Sequence, residues 1–109
     1  MRILVSTFLG IILVSVALGA QAKQLSKSDR FVCSWGAGIA GSAQASKLSG
    51  VSRYGARRKL QYQKFKQSWM RMMAIGITEQ TYNSASRLKP AGVKQTYNEE
   101  CLKHELARR

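Results

Sequence analysis

Between residues 30 and 78 the sequence contains no acidic residue, and the whole chain has five: Asp29, Glu79, Glu99, Glu100 and Glu105. General acid and base pairs need two carboxyls converging across a cleft with separated pKa values. Adjacent acids such as Glu99 and Glu100 point to different sides of a helix, so no such pair is expected. Histidine is scarcer still, with His104 alone. Structural zinc takes four ligands and catalytic zinc three plus a water, and Cys33, Cys101, His104 and scattered acids do not compose either set. Cys101 and His104 could act as nucleophile and base only with a free thiolate, which oxidation in an exported chain would consume. We therefore expect no catalytic residues, no metal site and no cofactor, and no enzyme. Alternation with a period of two is also lacking, which excludes a sheet.

What the N-terminus has is an address. Met1 and Arg2 form a positive start, residues 3–18 an apolar core broken by Ser6, Thr7, Gly10 and Ser15, and Ala20-Gln21-Ala22 a small-residue cleavage site. This is the three-part pattern of a secretory signal peptide, and the core is shorter than the roughly 20 apolar residues of a spanning helix. The expected organisation is a signal peptide over residues 1–22 and one small domain over residues 23–109, periplasmic or secreted after cleavage near Ala22. A domain of that size has a marginal core. An even cysteine count in an exported chain reads as a disulfide, so Cys33 and Cys101 are expected to join. Closing that loop stabilises by about 4 kcal/mol in the chain-entropy model.

The remaining pattern is helical. Ser26 with Asp29 three residues on has the form of a helix start, and Gly50 is a natural stop, which predicts a helix over residues 27–48. Its inward stripe, with Gly36, Ala37, Ala40 and Ala43, is small enough for a second helix to approach closely and for Cys33 to reach a partner. Phe65, Trp69, Met72, Met73 and Gly76, preceded by Tyr62, follow helical spacing and predict a helix over residues 61–82 with these side chains in the core. Residues 52–60 are either a separate short helix or its continuation, and Asn83-Ser84 suits its end. Pro90, the only proline, suits the first turn of a last helix with Val93, Tyr97, Cys101 and His104 on one face, His104 partly buried. The fold class is all-α: a bundle of three to four helices with one disulfide joining the first to the last.

Residues 36–41, GAGIAG, match G-x-G-x-x-G letter for letter. A dinucleotide loop needs a strand before the glycines, a helix beginning at them and an acid about 20 residues later. Here the glycines lie inside a helix that is already capped, and position 61 is Gln. The motif reads as small-residue packing.

The strongest positive signal is charge. The formal net charge is +13, and loss of the signal peptide removes only Arg2 from it. In the segment SRYGARRKLQYQKFKQSWMR, Arg57, Lys64 and Arg71 recur every seven residues as one ridge of a continuous helix, flanked by Arg53 and Arg58. These five form the expected binding face. Tyr54, Tyr62, Phe65 and Trp69 interleave with the charges, a pattern that suits phosphates and stacked bases, yet Phe65 and Trp69 belong to the predicted core stripe. Met70, Met72, Met73, Ile75 and Ile77 make the neighbouring stretch apolar nearly all round, which argues for burial in the bundle over lying on lipid.

Cys33 in a small-residue first helix, the helix end at Tyr82-Asn83-Ser84, and Tyr97 and Cys101 near the close of the chain give a layout that resembles the small single-disulfide helical proteins exported to the proteobacterial periplasm. The resemblance implies a periplasmic address and an α-helical fold, and carries no binding residues across. Together these observations predict an exported, non-enzymatic binding protein whose basic face engages an anionic partner. An acidic protein is the expected partner, and an immunity or inhibitor protein for a secreted effector is the most concrete version. The alternative is a cationic protein acting on envelope polymer, anionic lipid or nucleic acid, nucleic acid being the least favoured, and including membrane-active killing. With five acids there are few carboxylates whose protonation could drive an acid-activated chaperone.

Overall fold

In a computed structural model the described residues are 25–108; the expected signal peptide lies outside them. They form four helices and no strand: α1 (Lys27–Leu48), α2 (Arg53–Tyr62), α3 (Ser68–Asn83) and α4 (Pro90–Arg108). The ends of α1 stand where the sequence places them. The Ser26 hydroxyl accepts from the Asp29 N–H at 3.1 Å, satisfying one of the donors that a helix start leaves open. At the other end Gly50 has φ +91°, a conformation that side chains with a Cβ rarely adopt. The Val51 N–H reaches the Ser46 carbonyl at 3.0 Å and the Gly50 N–H reaches that of Lys47 at 3.2 Å, which closes the last turn.

Contacts between elements fix the topology. Cys33 bonds to Cys101, and α4 runs antiparallel along α1 so that Tyr97 covers Gly36 and Pro90 meets Gly41. Trp35 meets Trp69 near one end and Lys47 meets Thr81 near the other, so α1 and α3 are parallel. Between them α2 returns antiparallel beside α3, with Arg53 on Asn83 at 2.9 Å and the Gln63 carbonyl against Arg71 at 3.0 Å. The order across the molecule is therefore α4, α1, α3, α2, with α1 central; α3 and α4 do not touch. The bundle is open along one side.

The core is made of small side chains. Cys33, Ala37, Ala40, Ala43 and Gln44 of α1 are buried, with Ala56 of α2 and Met70, Ala74, Ile77, Thr78 and Thr81 of α3, while α4 buries no residue fully. With so little apolar volume removed from water, a covalent link worth about 4 kcal/mol is a large share of a small domain's stability. It joins α4 to α1 at one end of a packed contact that also includes Tyr97 on Gly36 and Pro90 on Gly41.

Two expectations are corrected here. Residues 61–82 are not one helix: α2 ends at Tyr62, a connector runs over residues 63–67, and α3 begins at Ser68. Residues 52–60 thus belong to a separate helix, and the break falls after Tyr62. The predicted core stripe of α3 is also out of phase. Trp69 and Met72 are exposed, Gly76 is exposed and Phe65 sits half-buried in the connector, whereas the buried line is Met70, Ala74, Ile77, Thr78 and Thr81. Thr81 can lie inside because its hydroxyl donates to the Ile77 carbonyl at 2.8 Å.

Candidate anion-binding surface

Seven cations lie on α2, the connector and the start of α3: Arg53, Arg57, Arg58, Lys59, Lys64, Lys66 and Arg71. One carboxylate, Glu79, faces them. Arg53 reaches it at 3.5 Å and Arg57 at 3.1 Å, and Arg53 also donates to the Asn83 side chain. Among the described residues no carboxylate pairs with the other five. The acids of α4 are differently placed, Glu100 beside Lys103 and Glu105 beside Arg108.

The connector divides the predicted face. A seven-residue spacing makes a ridge only along an unbroken helix, so Arg57, Lys64 and Arg71 do not form one. Arg57 is held by Glu79. Arg71 is half-buried, donates to the Gln63 carbonyl at 3.0 Å and lies 5.8 Å from the Phe65 ring centroid. Arg58 stands 6.0 Å from the Tyr62 ring and near the Tyr54 hydroxyl. Of the five predicted residues, Lys64 alone has its charged group in no hydrogen bond, ion pair or ring contact among the described residues. Two lysines that spacing did not single out, Lys59 and Lys66, are also exposed, and among the described residues no carboxylate pairs with them; the signal for Lys66 was its place beside Phe65 in Lys64-Phe65-Lys66.

Beside these lysines lies an aromatic cluster. Trp35 makes edge-to-face contacts with Phe65, centroids 6.3 Å apart, and with Trp69 at 5.7 Å, the geometry that aromatic quadrupoles favour. The Trp69 indole N–H donates to the Gln67 side chain at 2.6 Å. Phe31 is one turn before Trp35 on α1 and Met72 one turn after Trp69 on α3, and both are exposed.

A second feature is the groove where α3 and α4 fail to meet. It has a volume of about 320 Å³, with Ala40 and Gln44 of α1, Ile77 and Thr81 of α3, and Val93 and Tyr97 of α4 among its lining. The Gln44 amide nitrogen donates to the carbonyls of Ser86 at 3.1 Å and Leu88 at 2.8 Å, while its oxygen has no partner. Burial pushes the Tyr97 phenol above its ordinary pKa, and that of Tyr82 likewise.

His104 is exposed, not partly buried as predicted, and Cys101 is occupied by the disulfide. Among the described residues no group of three or more His, Cys, Asp and Glu side chains could hold a metal ion. GAGIAG lies more than two turns into α1, where Gly36 packs against Tyr97 and Gly41 against Pro90. Comparison with protein-family models, with curated proteins and with solved structures finds no match to this chain.

Proposed function

We propose that this chain is an exported binding protein, without a reaction of its own, that engages an anionic partner through the surface formed by α2, the connector and the start of α3. One observation carries this reading: seven cations meet a single carboxylate there, and that carboxylate is already shared by Arg53 and Arg57. A surface with this surplus attracts anions over several ångströms and speeds their encounter. The disulfide supports an oxidising compartment outside the cytoplasm, periplasmic or secreted. The arginines mostly hold the surface together, and Lys59, Lys64 and Lys66 present its free charge.

Two charge-reversed triple variants test the reading. K59E/K64E/K66E reverses the surface; K89E/K94E/K103E makes the same change in net charge on the α4 side. Each protein is used as bait for envelope extract, with retained material measured at low and at high salt. The expected result is a loss of about tenfold or more in retained anionic material for the first variant and a much smaller loss for the second. Equal retention by wild type and K59E/K64E/K66E would refute the assignment.

A further inference from the structure

We infer that the anionic partner is a phospholipid surface, into whose headgroup layer the Phe31, Trp35, Phe65, Trp69 and Met72 end of the bundle dips while Lys64 and Lys66 meet the lipid phosphates. This rests on the anionic-partner reading and names the partner's chemistry. The N-termini of α1 and α3 and the C-terminus of α2 come together at this end, as the Trp35 to Trp69 and Arg71 to Gln63 contacts require. There the molecule leaves large apolar groups in water: Phe31 is 52% exposed, Met72 76% and Tyr62 76%. A soluble chain rarely gathers such groups without a use for them. The large groove between α3 and α4 is lined by none of them, so they are not the wall of that cavity.

The kind of cation on the connector favours lipid over protein. Protein interfaces are enriched in arginine and depleted in lysine, because arginine holds a carboxylate bidentately while lysine is a compact, strongly hydrated point charge. On the connector beside the cluster the exposed cations are Lys64 and Lys66, while Arg71 is occupied by Gln63 and Phe65; Arg30, next to Phe31, adds an exposed arginine on α1. Lysine next to tryptophan, tyrosine and phenylalanine is the composition of the membrane interface, where basic residues are drawn to an anionic leaflet. Lys64 and Lys66 flank Phe65 along one connector, which puts charge on both sides of a ring that contacts Trp35. Among the described residues no helix is long and apolar enough to cross a membrane, and the association is confined to the interface.

The test uses the exported, oxidised protein and its own fluorescence. The chain has two tryptophans, Trp35 and Trp69, both in this cluster, so a change in emission reports this end and no other. Vesicles of phosphatidylcholine with about one third phosphatidylglycerol give the anionic surface, and phosphatidylcholine alone the neutral one. Anionic vesicles are expected to bind the protein with a blue shift, and neutral ones far less. F31S/M72S, which changes two exposed residues, is expected to weaken partition about tenfold while leaving the circular dichroism unchanged. All variants are compared in the same exported form, without residues 1–22, so the apolar N-terminal segment takes no part in the binding. Association without a blue shift, insensitive to F31S/M72S but abolished by K64E/K66E, would overturn insertion and leave the anionic-partner reading standing. No association with anionic vesicles at low salt would overturn the lipid assignment, and retention of an acidic protein by the wild type but not by K59E/K64E/K66E would then identify the partner as protein. Failure of both assays would refute both readings.

Discussion

Alanine at each glycine of GAGIAG should have a different effect, and the differences follow from distances. A glycine inside a helix costs about 1 kcal/mol relative to alanine. At Gly38 an added Cβ meets nothing within 4 Å, so Gly38→Ala should recover most of that and raise the melting temperature by about 4–8 °C per kcal/mol. At Gly36 the same Cβ would stand 2.8 Å from Cε1 and Oη of Tyr97 and 3.1 Å from Cζ. The ring must shift on α4, an overpacking cost of about 1–3 kcal/mol. The propensity gain is common to both variants and cancels in their difference, so Gly36→Ala should be about 1–3 kcal/mol less stable than Gly38→Ala. Gly41→Ala falls between them, its Cβ 3.3 Å from the Pro90 carbonyl and 3.5 Å from Cβ of Lys94. Urea unfolding of the oxidised protein, followed by far-ultraviolet circular dichroism, measures all three. Repeating Gly36→Ala in a Tyr97→Ala background isolates the contact: with the ring gone, alanine at position 36 should become stabilising. If Gly36→Ala and Gly38→Ala are equally stable, the close approach of α4 to α1 at this point is refuted.

Lys47→Met should destabilise by about 2 kcal/mol, because the Lys47 ammonium donates to the carbonyls of Thr81, Ser84 and Ser86 at 3.0–3.1 Å. Hydrogen exchange should accelerate first at Ser86 and Leu88, whose amides lie in the segment this ammonium and Gln44 hold; uniform acceleration across the domain would refute a local clamp. Stability should also fall at high pH. Burial raises the Tyr97 phenol above 10.0, so the folded state keeps a proton that the unfolded chain releases, and the stabilisation present below pH 10 is lost as pH rises through the folded value. Tyr97→Phe should flatten this alkaline decline in melting temperature, and an unchanged slope would refute the assignment to Tyr97.

The first and last helices were legible because their limits are chemical. Ser26 offers a cap, Gly50 takes a positive φ, Pro90 opens α4, and two cysteines have only each other. The start of α3 carries no such mark. Gln67 stands at its N-cap and makes no capping bond with its side chain, so nothing in the local sequence distinguishes a helix beginning at Ser68 from one continuing through it. The break is held by the Arg71 contact to Gln63 and the Trp69 contact to Gln67, both of which depend on the folded arrangement. The phase of α3 was ambiguous for a related reason. In WMRMMAIGI nearly every position is apolar, so two stripes overlap, and periodicity favours the larger side chains.

The structure buries the smaller stripe because α1 leaves no room for the larger one. Its inward face is glycine and alanine, and a helix that packs against such a face comes close enough for Ala74, Thr78 and Thr81 to fill the space. Trp69 and Met72 would hold the helices apart and open voids beside Ala40 and Ala43, and voids in a core are costly. One choice, the small residues of α1, therefore sets both the close approach of α4 and the outward turn of Trp69 and Met72. Trp69 then sits with Trp35 and Phe65 at the end where the connector carries Lys64 and Lys66, an arrangement that no local pattern in the sequence encodes. Leaving them in water forgoes about 25 cal/mol for each Å² that burial would have removed. In a domain whose core is this thin, the insertion proposed above would offset that loss, because the same residues would leave water on binding.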